Sequence, residues 1–386
     1  MKIVFLSTYP PAPCGIGEYT RHLRLAVERQ ATDTRIDVIA ERHGGTAEEL
    51  DPNVERVWKR DTPWDREAAR AVIARRPELV HVQHEEALLH QDGRFIRFLK
   101  ALGDAGIARV VTLHSVYGGR LGPNLLWSPT QFHSAVANHS EAIVVHQHLG
   151  GRDTLERQGV VPSKIHVIPH GTPRLVCASR QEARASLNIP ADAQVALFFG
   201  VIHRKKNLHT VLRASQRVAK HLPKFQFVIA GRPRGRTLID AVYVRQLARL
   251  MPKGVAAGWL DFRNGFVPNH VIGDFLAASD LVLFPHDQSY GSASGVFHLA
   301  LSAGRAAVCS TSPKFGEARD IFGQEVPVAF AETRDVGAWA NAIETMLISP
   351  GLRSRAEELA RNAAVSTDWD AIASRYLQLY AQVTRR

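Results

Sequence analysis

Residues 166–173 read HVIPHGTP, a short apolar run followed by two prolines and a glycine within the five residues 169–173. Proline removes a backbone donor and glycine punctuates local structure, so a strand ends here and a linker begins. Working outward, short runs rich in Val, Ile and Phe recur on both sides, with longer polar and Ala-rich stretches between them. On the N-terminal side these are Ile3–Leu6, Ile36–Ala40, Leu79–Val82, Val110–Leu113, Ala142–Val145 and His166–Ile168. On the C-terminal side they are Val195–Phe199, Phe225–Ala230, Val255–Trp259, Leu281–Phe284, Ala306–Cys309 and Val326–Ala329. Strands alternating with helical stretches build parallel sheets, so the pattern predicts an α/β protein of two Rossmann-like, doubly wound domains. The expected boundaries are 1–172 and 173–365. The remainder, 366–386, reads as a capped helix with Ile372, Tyr376, Leu379 and Tyr380 on one face, expected to cross back to the first domain.

The bulk properties agree with two packed halves. A chain of 386 residues exceeds what one core usually sustains. Its 45% hydrophobic and 22% charged residues exclude disordered and fibrous classes. Apolar stretches such as Val195–Ile202 fall well short of the ~18 residues of a membrane span. The opening MKIVFLSTYPPAP has a shorter apolar run than a secretory signal, so a cytoplasmic protein is expected. Cys14, Cys177 and Cys309 are too scattered for a disulfide framework or a zinc site.

The net charge of +11 is uneven. Residues 1–170 carry 21 Lys and Arg against 20 Asp and Glu, whereas residues 171–386 carry 27 against 17. Much of the surplus sits in loops: Arg204-Lys205-Lys206 and Arg232-Pro-Arg234-Gly-Arg236 each follow an apolar run. Ligands of doubly wound sheets bind at the carboxyl ends of the strands. Those ends carry Gly15 and Gly17, His84, His114, His146 and His170 in the first half. In the second half they carry His203 to Lys206, Gly231-Arg232, and His286-Asp-Gln leading to Ser294-Gly295-Val296. An anionic ligand in a cleft between the halves is the economical expectation.

Ser294-Gly295-Val296 opens an apolar helix-like run ending at Gly304. Free backbone N–H groups and the positive end of a helix dipole bind phosphate there, although Ser is also an ordinary N-cap. Lys206, in a cluster of three cations after a buried strand, could neutralise a leaving diphosphate. Gly15-x-Gly17, with Glu41 ending the second run, invites an NAD-binding reading. The intervening loop with Pro10, Pro11 and Pro13 is too long for a dinucleotide turn, and Thr20 stands at the third glycine position. A substrate loop or a glycine-permitted turn with φ > 0 remain as alternatives. His84, His114 and His146 could gather a metal, but without carboxylates or thiols at ligand spacing they suit hydrogen bonding better. Asp368-Trp-Asp370 is read as first-turn acids of the last helix and not as a metal motif.

Taken together, CGIGEYT (14–20), HVQHE (81–85), VVTLH (110–114), VIPHG (167–171), FFGVIHRKKN (198–207), FVIAG (227–231), ASDLVLFP (278–285) and GVFHLALSAGRAAV (295–308) resemble glycosyltransferase family 4, with its GT-B fold. The resemblance runs in order along essentially the whole chain. It implies retaining transfer of a hexose from a nucleoside-diphosphate sugar, such as a UDP- or GDP-hexose, to a saccharide or glycoconjugate acceptor. No metal or other cofactor is required, the second domain holds the nucleotide and the first the acceptor. By the same resemblance Lys206 meets the diphosphate, helped by His203 or Arg204, where the family usually has an arginine at position 203. Gly15 and Gly17 line the donor and acceptor, His114 lies near the transferred sugar, Ser294, Gly295 and Val296 cap the phosphates, and Phe266 and Val267 read the base. The family's pair of glutamates around the phosphate loop is absent: 286–304 reads HDQSYGSASGVFHLALSAG.

Two other classes compete. A dehydrogenase would use Gly15, Gly17 and Glu41 for NAD. A nucleic-acid binder would use the basic second half, yet its cations occupy single loops without interleaved aromatics, so no nucleic-acid partner is expected. The near-neutral first half argues for at most peripheral membrane association.

Overall fold

The computed structural model describes residues 1–42, 51–119, 127–234, 237–265, 267, 269–323, 325–326 and 329–385. They divide into two compact α/β units. The first comprises Met1–Gly171, Tyr290–Ala293 and Thr367–Arg386, and the second Thr172–Ser289 and Ser294–Ser366. The four residues Tyr290–Ala293, assigned from sequence to the second half, cluster with the first unit.

The first unit contains β1 (Lys2–Ser7), β2 (Arg35–Glu41), β3 (Val54–Trp58), β4 (Leu79–His84), β5 (Ala108–Leu113), β6 (Ser115–Val116), β7 (Ala142–Val145) and β8 (Ile165–Val167). Seven of these form one sheet in the order β3-β2-β1-β4-β5-β7-β8, with parallel pairing throughout. Side chains alternate between its faces with the period of two that a strand imposes. Val4 and Leu6 enter a layer with Trp64, Phe95, Phe98 and Phe132, whereas Ile3 and Phe5 enter a layer with Tyr19, Leu23 and the last helix.

That last helix, Trp369–Thr384, is capped by Asp368, whose carboxylate accepts from Ala371 N at 2.8 Å. It buries Ile372, Tyr376, Leu379 and Tyr380. Its tyrosines tie it to the sheet through buried hydroxyls: Tyr376 to Tyr19 at 2.8 Å and to Thr112 at 3.2 Å, and Tyr380 to His81 at 2.6 Å. Asp370 pairs with Arg29 at 2.6 Å.

The second unit contains β9 (Gln194–Phe199), β10 (Phe225–Gly231), β11 (Leu260–Asn264), β12 (Leu281–Phe284), β14 (Ala307–Ser310) and β15 (Phe330–Ala331). Between β12 and β14 in sequence, β13 (Gly291–Ser292) pairs antiparallel with β6 inside the first unit. The second sheet runs β11-β10-β9-β12-β14-β15 and is also parallel.

Three differences from the sequence reading concern edge strands. The run Val255–Trp259 is not a strand. Tyr243, Leu247, Met251 and Gly254, buried at helical spacing, carry the helix Leu238–Ala256 through Val255. Gly258 then turns the chain with φ 77°, and the strand begins at Leu260. Its charged Asp261 and Arg263 pair with each other at 2.7 Å, which hides the strand from an apolar count. β3 was absent from the sequence reading for the same reason: VERVW carries charges suited to a sheet edge. The final strand lies at Phe330–Ala331, beyond Val326–Ala329, of which residues 327 and 328 lie outside the described residues.

Candidate functional site

Each sheet reverses its strand order once, between β1 and β4 in the first unit and between β9 and β12 in the second. At such a switch point neighbouring loops leave in opposite directions and open a crevice at the strands' carboxyl ends.

In the second unit the chain leaves β9 through Gly200, whose φ of 116° only glycine adopts readily. A Cβ on Gly231, at the end of β10, would overlap the Gly200 carbonyl oxygen, so two glycines let these backbones meet. Arg204–Lys206 then form a single 3-10 turn ending at Asn207 in the left-handed region, with φ 49° and ψ 32°. The buried Asn207 amide donates to Thr333 O at 2.5 Å and accepts from Thr210 Oγ1 at 2.7 Å, which fixes the turn. Lys205 O in turn accepts from Asp287 N at 2.8 Å, binding this loop to the one after β12.

The result is a contact between Lys206 Nζ and His286 Nε2 at 2.6 Å. Desolvation, followed by repulsion from Lys314, brings the Lys206 ammonium down to about 7. Desolvation first and then Lys206 push His286 well below its ordinary value. A charged ammonium has no lone pair, so it donates and the neutral imidazole accepts. His203, half-buried beside them, is lowered to about 4 by desolvation and then by Lys206 and Arg234. Arg204 is exposed and faces a cavity of about 540 Å³ that also touches His209, Tyr243 and Arg334.

Val296 lies against the same turn, its Cγ2 4.0 Å from where a Gly200 Cβ would stand. It belongs to the helix Gly295–Ser302, whose N-cap Ser294 is buried and makes no side-chain cap bond. Ser294 therefore does not act as the ordinary cap considered from sequence. Gly295 is exposed at the helix start, where the first N–H groups have no intrahelical acceptor. Lys206, His286 and the helix start thus gather at one switch point. Val267 is half-buried against the core of this unit, and Phe266 lies outside the described residues. Asp287, in the loop after β12, is paired with Arg334 at 2.7 Å.

In the first unit Gly15 begins the helix Gly15–Gln30 and is exposed. Gly17 is buried with its Cβ direction 3.3 Å from the Tyr9 backbone, so close packing explains it; neither glycine has positive φ. Glu41 is buried and grips Arg60 with both oxygens, at 2.5 and 2.6 Å, which removes the ribose carboxylate an NAD site needs. His114 is 6% exposed and has both ring nitrogens engaged: Nε2 with Gln83 Oε1 at 2.9 Å and Nδ1 with His146 Nε2 at 3.2 Å. Desolvation and then His146 hold it well below its ordinary value, hence neutral. His84 lies apart, hydrogen-bonded to His90 O at 3.1 Å and packed on Phe95 and Phe132.

His286 and Lys314 were not among the sequence candidates. His286 did stand at a strand end, but 80 residues separate it from Lys206.

Family models match both units of the chain. Residues 14–174 match the model of Glycosyltransferase Family 4, and residues 193–349 that of Glycosyl transferases group 1. The chain is 28% identical over 261 residues to D-inositol 3-phosphate glycosyltransferase of Xylanimonas cellulosilytica, covering 64% of this chain and 58% of that protein. It is 30% identical over 259 residues to the enzyme of that name from Mycobacterium tuberculosis, covering 64% of this chain and 49% of that one. The chain therefore spans about half to three-fifths of the length of these curated relatives. Anabaena HepE in complex with UDP superposes with a TM-score of 0.74 at 15% identity, covering 99% of this chain and 100% of that one. Sucrose-phosphate synthase from Thermosynechococcus elongatus does so with 0.75 at 19% identity, covering 99% of each. The fold is GT-B. With family matches over both units, the chain belongs to glycosyltransferase family 4.

Proposed function

We propose that the protein transfers a hexose from a nucleoside-diphosphate sugar to a hydroxyl of a saccharide or glycoconjugate acceptor, with retention at the anomeric carbon and without a metal. The observation that carries this reading is the meeting of Lys206, His286 and the N-terminus of Gly295–Ser302 at the switch point of the second unit. A diphosphate there would draw a proton onto Lys206, whose unliganded value of about 7 leaves it half-charged at neutral pH. HepE complexes with UDP and UDP-glucose support a uridine nucleotide.

In the proposed step the bond from the anomeric carbon to the diphosphate oxygen breaks and a bond to the acceptor oxygen forms on the same face. The acceptor proton passes to the departing diphosphate. Lys206, the exposed Arg204 and the free N–H groups at Gly295 and Val296 stabilise charge growing on the leaving oxygen, roughly 3 kcal/mol per well-aimed donor. His286 Nε2 accepts from the ammonium at 2.6 Å and orients it. In the first unit, the Gln83–His114–His146 chain presents a neutral imidazole fixed at both nitrogens, suited to positioning and not to proton transfer. No helix is long and apolar enough to cross a membrane among the described residues. Three free cysteines favour a cytoplasmic setting.

The test is a thermal-shift screen of UDP, GDP, ADP and dTDP with their sugars, followed by transfer assays on the stabilising donor. A nucleotide that raises the melting temperature of the wild type but not of Lys206→Met supports the site. Equal stabilisation of both proteins refutes it.

A further inference from the structure

We infer that the helix Leu238–Ala256 of the second unit is a docking face for an anionic lipid surface. This does not rest on the transferase reading. The helix buries one side, through Tyr243, Leu247, Met251 and Gly254, and turns the other to solvent. Its outward side begins with exposed apolar residues, Leu238 at 86%, Ile239 at 61% and Val242 at 49%, and ends with Val255 at 52%. Between them Arg245, Arg249 and Lys253 follow at intervals of four, forming an exposed row of cations along one meridian.

Like charges four apart repel each other on a helix. Among the described residues none of these three makes an ion pair, and the only carboxylate of the helix, Asp240, is buried. A cationic row bracketed by exposed aliphatic side chains is complementary to anionic headgroups with acyl chains beneath them. Beside the helix, Ile202, Pro233, Leu247, Met251, Val255 and Phe262 line an apolar cavity of about 550 Å³, room for part of an acyl chain. A nucleic acid would also meet the cations. It would want aromatic rings for stacking, however, and the one aromatic residue of the helix, Tyr243, is buried.

The full chain is mixed with vesicles of phosphatidylcholine alone, or with about one-third phosphatidylglycerol, and floated on a density gradient at low and high salt. The expected result is flotation with the anionic vesicles only, weakened by salt. It should fall roughly tenfold or more in Arg245→Glu/Arg249→Glu and independently in Leu238→Ser/Ile239→Ser/Val242→Ser. These side chains are solvent-exposed, so unchanged circular dichroism and melting temperature are expected in both variants. Equal flotation with neutral vesicles, no flotation at low salt, or variants that float like the wild type would each overturn the proposal. So would a self-associated wild type that the serine variant dissociates without any effect on flotation, or a duplex DNA that competes the vesicles away at equal charge.

Discussion

Lys206 trades stability for charge, and the trade has a measurable pH dependence. Its ammonium falls from the ordinary 10.5 to about 7 in the folded chain because it is desolvated and faces Lys314. The folded state therefore holds this proton more weakly than the unfolded chain does. The resulting cost is full below pH 7 and shrinks as pH rises towards the unfolded value. Linkage over that gap gives a penalty of about 4 kcal/mol at pH 7 and about 2 kcal/mol at pH 9. Partial solvent access to the half-buried side chain trims the difference to about 1–2 kcal/mol. Lys206→Met removes the ammonium at little change in volume. The variant should melt above the wild type at pH 7, and the gap should narrow by about 3–6 °C at pH 9 for a unit of this size. At the same time transfer should fall roughly a hundredfold or more. Thermal unfolding of both proteins at the two pH values, with the transfer assay on each, decides the matter. A gap that ignores pH, or a variant less stable than the wild type at pH 7, would falsify the assignment of a desolvated ammonium at this position.

Three further outcomes follow from the same structure. Donor nucleotide binding at pH 8 should take up about 0.9 proton as Lys206 recharges, read from calorimetry in buffers of different ionisation enthalpy, and none in Lys206→Met. Gly231→Ala forces a methyl into the Gly200 carbonyl and should cost about 2–4 kcal/mol in denaturant unfolding of the second unit, with loss of nucleotide binding. Tyr376→Phe removes the hydroxyl shared with Tyr19 and Thr112 and should cost about 1–2 kcal/mol in chemical denaturation, with nucleotide affinity intact.

The central strands were legible because burial on both faces makes them continuous apolar runs, as in β4 and β9, where almost every residue is buried. Two edge strands, β3 and β11, were not, since they mix charges into the run to suit one solvated side. Loop chemistry was half legible. Lys206 and the start of Gly295–Ser302 stand where strand ends must place them, whereas Gly17 proved to answer a packing demand from Tyr9 and Glu41 an ion pair with Arg60.

The local periodicity of apolar residues and the punctuation by proline and glycine determine two doubly wound units, because those signals act within a few residues of the chain. The tertiary structure alone decided that Lys206 meets His286, that desolvation and then Lys314 weaken its hold on a proton, and that His114 has both nitrogens engaged. Proton affinity depends on the solvent and charge brought around a group by distant segments, and no spacing along the chain encodes that distance.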